Sequence, residues 1–542
     1  MSPFDAAADG PLSHAIALHR GGRLDEAEKA YRRLARRRPK DPRLQYLLGL
    51  AVHQRGRPEA AVKHLRQAVR RAPEVADHHR SLGLALKDAG RLDDAADAYR
   101  QAVRLAPSDP VPRANLGACL RARGEPAAAA EAYGEAVARA PDHAGLRNNL
   151  GLALRESGQL AAAEAELRAA LRLKPGHAAA RANLADALWR QGRPAAAVDE
   201  ARAAVAADPA LPQAHYTLGN ALKDADRPAE AREAFTSAVE RAPHYAEAHA
   251  GRAAAALALD RPSEAAEACA VALAHAPALD EAHTLMGQAL YALRARNPAA
   301  AARKARDWLS NTPDAPIARH MAPPLMGRAE TDGAVRAESG FVKATFDAFA
   351  ATFDDKLAAL DYRGPAVIAE LAAGEPDGRR VLDLGCGTGL CASALRPRAA
   401  RLEGVDLSPE MLARARPLYD AGHEAEAVAF LEAAPPGAWD LIAAADVLIY
   451  IGDLAPLARA AARALAAGGC LAFTAESLED TPDAPDWRLN PHGRYAHRAG
   501  YLSRTFREAG LAVEALEPTR LRTEAGRPVA ALAGRARKAA GA

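Results

Sequence analysis

The sequence predicts an α + α/β protein: an N-terminal, all-α superhelix of stacked helix pairs, then a doubly wound, mostly parallel, seven-stranded sheet. Three observations carry that expectation. Prolines recur at 39, 73, 107, 141, 175, 209, 243 and 277, eight positions at a spacing of 34. The period is lost near residue 310, in a proline-rich stretch. Beyond it, residues 381–390 (VLDLGCGTGL) read as a strand running into a turn with glycines at 385, 387 and 389, and a helix-compatible run follows.

Length and composition bound the rest. A chain of 542 residues with 49% apolar content holds more than one domain and ample core. Lys plus Arg number 71 against 68 acids, a net of +3, so no global field recommends nucleic acid or an anionic membrane as a partner, and neither is expected. The five cysteines (Cys119, Cys269, Cys386, Cys391, Cys470) lack metal-ligand spacing, so no metal site is expected and reduced thiols are. The N-terminus has no basic segment leading into a sustained apolar core, and no uncharged run approaches ~18 residues. A cytoplasmic protein is the expectation.

In the first half, the proline register also places Ala at 27, 61, 95, 129, 163, 197, 231, 265 and 299, and Leu at 48, 82, 116, 150, 184 and 218. Gly49, Gly83, Gly117, Gly151, Gly219 and Gly287 follow one helix-face position, and Tyr31, Tyr99, Tyr133 and Phe235 fill a bulky site four after the alanine. This pattern resembles the tetratricopeptide repeat, a 34-residue helix pair whose small residues let two helices approach closely. About nine units are expected over residues 8–313. The ends depart from the pattern, with Ala15 in the first unit and Arg303 at the bulky site of the ninth, as capping units do.

Such an array would line a concave groove with the first helix of each pair, and two ladders should face it. Asn115, Asn149 and Asn183 lie 34 apart, where similar repeats in O-linked N-acetylglucosamine transferase hold the backbone of an extended peptide. Lys87, Arg121 and Arg155, with Lys223 beyond an interruption at Trp189, form a cationic ladder. Together they would make a receptor for a flexible acidic segment, so a protein or peptide is the expected partner. The alternative is a solvated face propagated by duplication, with the array a spacer or self-association surface. The basic run at residues 31–40 reads as the exposed face of one helix, because Leu34 and Ala35 interrupt it at helical spacing.

Residues 314–337 read as a linker and residues 338–540 as the second domain. Two short helices are expected next, at 341–360 and 365–373. The first carries Phe341, Phe346, Phe349 and Phe353, either as a cover for a site or as a docking stripe. In the glycine turn, positive φ and the missing Cβ let backbone N–H groups and a helix N-terminus face a ligand. Asp383, two residues before the first glycine, suits a positive group and would repel a pyrophosphate.

The turn resembles motif I of the S-adenosylmethionine-dependent methyltransferases of the Rossmann-like class, and the likeness runs on. Asp406 ends a strand-like run at 401–405 and opens GVDLSPEML, with Ser408 as N-cap and Pro409 at the first helical position. Residues 439–454 read as the fourth strand and its tip. A helix at 454–465, a strand at 471–476, a helix at 501–509 and a closing hairpin follow. The whole resembles bacterial proteins that join tetratricopeptide repeats to a methyltransferase domain.

The resemblance implies S-adenosylmethionine as cofactor. Asp383 would hold the amino end of its methionine part, and the Gly385, Cys386, Gly387 and Gly389 turn the carboxylate side. Asp406, followed by Leu407, would hold the ribose, and Glu426 the adenine amino group. For the acceptor, Asp446 and Tyr450 lie beyond the fourth strand, and His497, with Tyr495, lies in a polar segment (477–500) expected to set specificity. No Asn/Asp-Pro-Pro-Tyr string stands at the fourth strand, which argues against nucleobase and amide-nitrogen methylation. The favoured reading is a methyltransferase whose repeats recruit a protein that carries or presents the acceptor. The competing readings are a scaffold that binds cofactor without turnover, and a small-molecule methyltransferase with repeats for assembly only.

Overall fold

The computed structural model describes residues 10–327, 336–479, 481, 484–524 and 527–540. The chain forms two compact units, Met1–Pro243 and His244–Ala542.

Among its described residues the first unit is all helical, from Gly10–Arg20 to Pro228–Arg241, in seven helix pairs. Five of the pairs close through contact between a glycine on the first helix and a bulky residue on the second. A Cβ at Gly83 would fall 2.8 Å from the Tyr99 ring, and one at Gly219 would fall 2.7 Å from the ring of Phe235. The turn within a pair needs a left-handed residue, which Gly90 supplies at φ 76° and Asp226, 136 positions later in the same register, at φ 56°. In the basic run Tyr31, Leu34 and Ala35 are buried while Arg32, Arg33, Arg36 and Arg37 are exposed. It is a solvated helix face.

The second unit opens with two more pairs, Ala246–Ala258 with Pro262–His275 and Asp280–Arg296 with Pro298–Asn311. The segment expected as a linker contains a further helix, Pro316–Leu325. Its Ile317, Ala318, Met321, Ala322 and Leu325 are buried in one core with Met286, Leu290 and Trp308, and Ala337 and Phe341 enter the same core. Pro316 suits the first helical turn, and Pro323 and Pro324 fall in the last one.

Nine strands follow among the described residues: β1 (Arg379–Leu384), β2 (Ala399–Asp406), β3 (Ala421–Glu424), β4 (Trp439–Ala444), β5 (Leu465–Ser477), β6 (Trp487–Leu489), β7 (Tyr495–His497), β8 (Leu511–Glu524) and β9 (Arg527–Lys538). Strands β3, β2, β1, β4 and β5 are parallel neighbours in that order, and β9 and then β8 continue antiparallel beyond β5. These are the seven strands expected from sequence. The extra pair, β6 and β7, comes from the polar segment. β4 ends opposite Phe473 while β5 runs on, and β7 pairs with Glu476 and Ser477 on the edge thus vacated. Winding reverses between β1 and β4, so the open crevice of the sheet lies at their C-terminal ends.

Candidate functional site

At those strand ends lies a cavity of about 630 Å³, lined by residues that include Asp383, Gly385, Asp406, Glu426, Asp446 and Tyr450. Cys386, Gly387 and Leu407 line it as well, but Gly389 does not.

The turn after β1 is bent by Gly385, Gly387 and Gly389 at φ 68°, 54° and 94°. At Gly385 even a methyl is excluded, since a Cβ would lie 2.5 Å from Val447 Cγ2. Gly387 faces more open space, the nearest atom to its notional Cβ being Phe353 Cε1 at 3.6 Å. Asp406, on the tip of β2, accepts from the backbone N–H of Gly387 and of Ser408, both at 2.9 Å. Burial pushes its carboxyl up from the usual range, and the N–H groups of Ser408, Gly387 and Leu407 pull it back. Ser408 caps the next helix, its Oγ accepting from the Met411 N–H at 3.1 Å.

Asp383 is 1% exposed, and burial pushes its carboxyl up to about 7 against the hydrogen bond from Tyr419 Oη at 2.6 Å. Tyr419 escaped the sequence analysis because nothing in its neighbourhood marks a residue 36 positions from its partner. Glu426 borders the cavity but is already engaged: its Oε2 accepts from the Ala429 N–H at 2.9 Å as a helix cap and pairs with Arg336 at 3.3 Å. Cys386 is buried, and desolvation raises its thiol, so it packs rather than reacts.

On the acceptor side Asp446 sits at φ 54°, a conformation that a non-glycine residue seldom takes. Its N–H donates to Thr474 Oγ1 at 2.9 Å and its Oδ2 accepts from Arg522 at 2.7 Å, while the buried Oδ1 has no hydrogen-bond partner among the described residues. Burial raises its carboxyl and Arg522 holds it back. Arg522 is the hub of a buried network. It also bonds Glu476 and, at 2.8 Å, Glu524, and Arg494 bonds the same two acids at 2.6 to 2.7 Å. The sequence shows nothing of this, since the network joins the ends of β5, β7 and β8. Tyr362 also lines the cavity, its phenol raised by burial.

Tyr450 lines the cavity, with its phenol pushed up to about 12 by burial and its ring edge-on to Phe346 at 5.5 Å. Phe346 and Phe353 line it too, on a segment fastened by two hydrogen bonds, from Thr388 in the glycine turn to Asp354 and from Ser408 after β2 to Asp347. Phe341 stacks on His320 at 4.0 Å instead, and the Phe349 side chain lies outside the described residues. His497 is not brought to the cavity. It is 0% exposed, its Nε2 bonds the carbonyls of Ile451 (2.8 Å) and Gly452 (3.2 Å), and burial lowers it to about 4. It acts as a strut between β7 and the β4 tip, and Tyr495 is likewise buried, edge-on to Trp487.

In the first unit, Asn115, Asn149 and Asn183 are half-buried on first helices, with Asn183 Nδ2 donating to Asn148 Oδ1 at 2.9 Å. The cationic ladder is not a free one. Arg121 pairs with Glu156 (3.1 Å), Arg155 with Asp186 (2.6 Å) and Lys87 with Asp88 (3.7 Å), so the row is a mixed-charge seam.

Known proteins resemble this chain in both parts. A family model described as a methyltransferase domain matches residues 357–516, and one described as a tetratricopeptide repeat matches 12–65, 54–110, 116–177, 150–212 and 216–280. A ubiquinone biosynthesis O-methyltransferase of Thiobacillus denitrificans is 32% identical over 155 residues, 26% of this chain and 67% of that protein. The chain belongs to the S-adenosylmethionine-dependent methyltransferases. The protein of the same name from Bordetella pertussis is 30% identical, over 28% of this chain and 67% of its own length. The chain spans about half or less of several further relatives of that name, down to 42%. A solved S-adenosylmethionine-dependent methyltransferase from Mesorhizobium loti is 27% identical over 31% of this chain and 96% of its own, with a TM-score of 0.25.

S-adenosylmethionine is therefore the methyl donor of this methyltransferase, and the residues fit it. The cavity is the size of a nucleoside joined to an amino acid. Gly387 leaves room for close backbone approach, and the buried Asp383 carboxylate calls for a cation. The repeats ahead of the catalytic domain belong to a class that mediates protein–protein interaction. Among the described residues no helix is long and apolar enough to cross a membrane.

Proposed function

We propose that this methyltransferase transfers its methyl group to an oxygen of an acceptor, and that the repeat array holds a protein that carries or delivers that acceptor. The observation that carries the reading is Asp446: a carboxylate at the cavity with one oxygen fixed by Arg522 and the other buried without a partner among the described residues. A hydroxyl placed against Oδ1 satisfies that atom and is aimed by it. The names of the relatives, O-methyltransferases, support oxygen as the nucleophile.

The cofactor, when bound, supplies a methyl on a sulfonium, an electrophile that needs alignment and desolvation more than strong acid or base. In this reading Asp383 pairs with the amino end of the methionine part and the N–H groups of the 385–389 turn meet its carboxylate. Asp406 accepts the ribose hydroxyls, and Glu426 reaches the adenine edge through its second oxygen. Asp446 Oδ1 would take the proton that the acceptor hydroxyl gives up on methylation. Tyr450 and Phe346 wall the cavity against water, so the helix Ser339–Phe349 serves as its cover. His497 serves only the fold.

For recruitment, the pre-paired cations turn the reading away from an acidic segment. The half-buried Asn115, Asn149 and Asn183 favour a partner held by its peptide backbone. The near-balanced charge supports a protein partner over nucleic acid or membrane, in the cytoplasm. The test is to incubate the full chain with methyl-labelled S-adenosylmethionine and a fractionated cell extract. Label in an acceptor fraction that survives base, as a methyl ether does, and is absent with Asp446→Asn, is expected; no labelled fraction, or full labelling by Asp446→Asn, contradicts the reading.

A further inference from the structure

Neither family model covers residues 281–356, between the last repeat match and the methyltransferase match. This stretch nonetheless reaches the site. Gln288, exposed on the helix Asp280–Arg296, is a lining residue of the cavity. Three positions on, on the same face, the 47% exposed Tyr291 meets the ring of His492 edge-on at 6.1 Å. His492 belongs to the tight turn between β6 and β7, closed by the Gly493 N–H on the Asn490 carbonyl at 2.8 Å.

The helix Pro316–Leu325 holds that turn from outside. His320 Nε2 bonds the Gly493 carbonyl at 2.8 Å, and a Cβ at Gly493 would lie 2.5 Å from Met321 Sδ. Immediately after the turn, Arg494 lines the cavity and bonds Glu476 and Glu524, the two acids that Arg522 also bonds while it fixes Asp446. An unbroken series of contacts thus runs from the ninth helix pair to the carboxylate beside the acceptor.

We infer that the ninth repeat pair and the helix after it are part of the methyl-transfer site: Gln288 contacts the acceptor at the cavity mouth, and His320 positions Arg494 through the Gly493 turn. The inference rests on the transfer reading above for what occupies the cavity. It makes the catalytic unit larger than the domain the sequence marks. A fragment beginning near residue 338 lacks one wall of the cavity and the brace of Arg494.

All five native cysteines are buried, so Gln288→Cys offers a single accessible thiol for an environment-sensitive fluorophore. Titrating the labelled full chain with S-adenosylhomocysteine is expected to give a saturable emission shift that Asp406→Asn removes. Unchanged emission at saturating nucleoside overturns the inference. Where the wild type labels an acceptor fraction, Gln288→Ala is expected to lower transfer at limiting acceptor about tenfold, with S-adenosylhomocysteine affinity held within twofold. Equal transfer by wild type and Gln288→Ala overturns it. Should the wild type label no fraction, the transfer reading fails on its own, and the emission titration alone decides whether Gln288 borders the cavity. For His320, transfer by His320→Phe should fall in kcat and be restored in part by His320→Gln, which can still donate to the Gly493 carbonyl. Equal kcat for the two variants contradicts the positioning role.

Discussion

The helix pairs of residues 10–241 and the sheet of residues 379–538 treat charge in opposite ways. In the pairs, several partners stand in water, as Arg23 and Glu26 do at 61% and 51% exposure and Arg121 and Glu156 at 40% and 30%, although Glu28 is buried beside Arg55. In the sheet, Arg522 and Glu476 pair at 4% exposure each, and Asp383 is buried with a tyrosine for company. Exposed pairs are cheap to keep and contribute little, whereas a buried charge loses several kcal/mol of hydration and persists only where geometry compensates it or function requires it. At the cavity, the buried charges of Asp383 and of Arg522, the latter paired with Glu476, therefore stand where function can require them.

Arg522→Met should break that contrast most severely. It leaves Asp446 buried without its cation and Glu476 with Arg494 alone, at about 3–5 kcal/mol, read as a fall in the urea midpoint of the second unit's transition. Gly219→Ala comes next. Its Cβ would press on the Phe235 ring, and overpacking of about 1–3 kcal/mol should outweigh a gain in helix propensity of at most about 1, visible as a lower midpoint for the repeats.

Asp383 gives a pH effect of similar or smaller size. Its folded carboxyl is raised from 3.8 to about 7, so between those values the native state keeps a proton the unfolded chain has lost. Its contribution to stability without ligand therefore falls as pH rises through that window. A cationic ligand group needs the ionised form, so S-adenosylhomocysteine affinity should rise about tenfold from pH 5.5 to 7 and lose that slope in Asp383→Asn. Arg121→Ala should change stability least, by under about 0.5 kcal/mol, and less still in high salt.

Much of this was legible from the letters. The 34-residue period put glycine opposite a bulky ring, and Gly83 with Tyr99 and Gly219 with Phe235 meet in that way. The turn at 385–389 and the acids at 383 and 406 were legible because a parallel strand entering a helix through glycine leaves a local signature. The helix Pro316–Leu325 was hidden by its prolines: Pro316 suits a first turn, but Pro323 and Pro324 lie inside the helix, where proline removes a backbone hydrogen bond. His497 looked catalytic because letters do not reveal burial. Tyr419, Arg494 and Arg522 left no signal, since what matters is a partner on another strand. Lys87, Arg121 and Arg155 read as free cations because the acids that neutralise two of them, Glu156 and Asp186, belong to the next repeat.

The account turns on the glycine-bent turn and the carboxylates of β1 and β2 holding S-adenosylmethionine. Calorimetric titration of the full chain with S-adenosylhomocysteine tests it most directly, beside Asp406→Asn, which keeps the shape of the residue and changes its charge. One saturable site in the wild type, weakened at least about tenfold in Asp406→Asn, is the expected result. No heat from the wild type, or equal affinity in the two proteins, would contradict it.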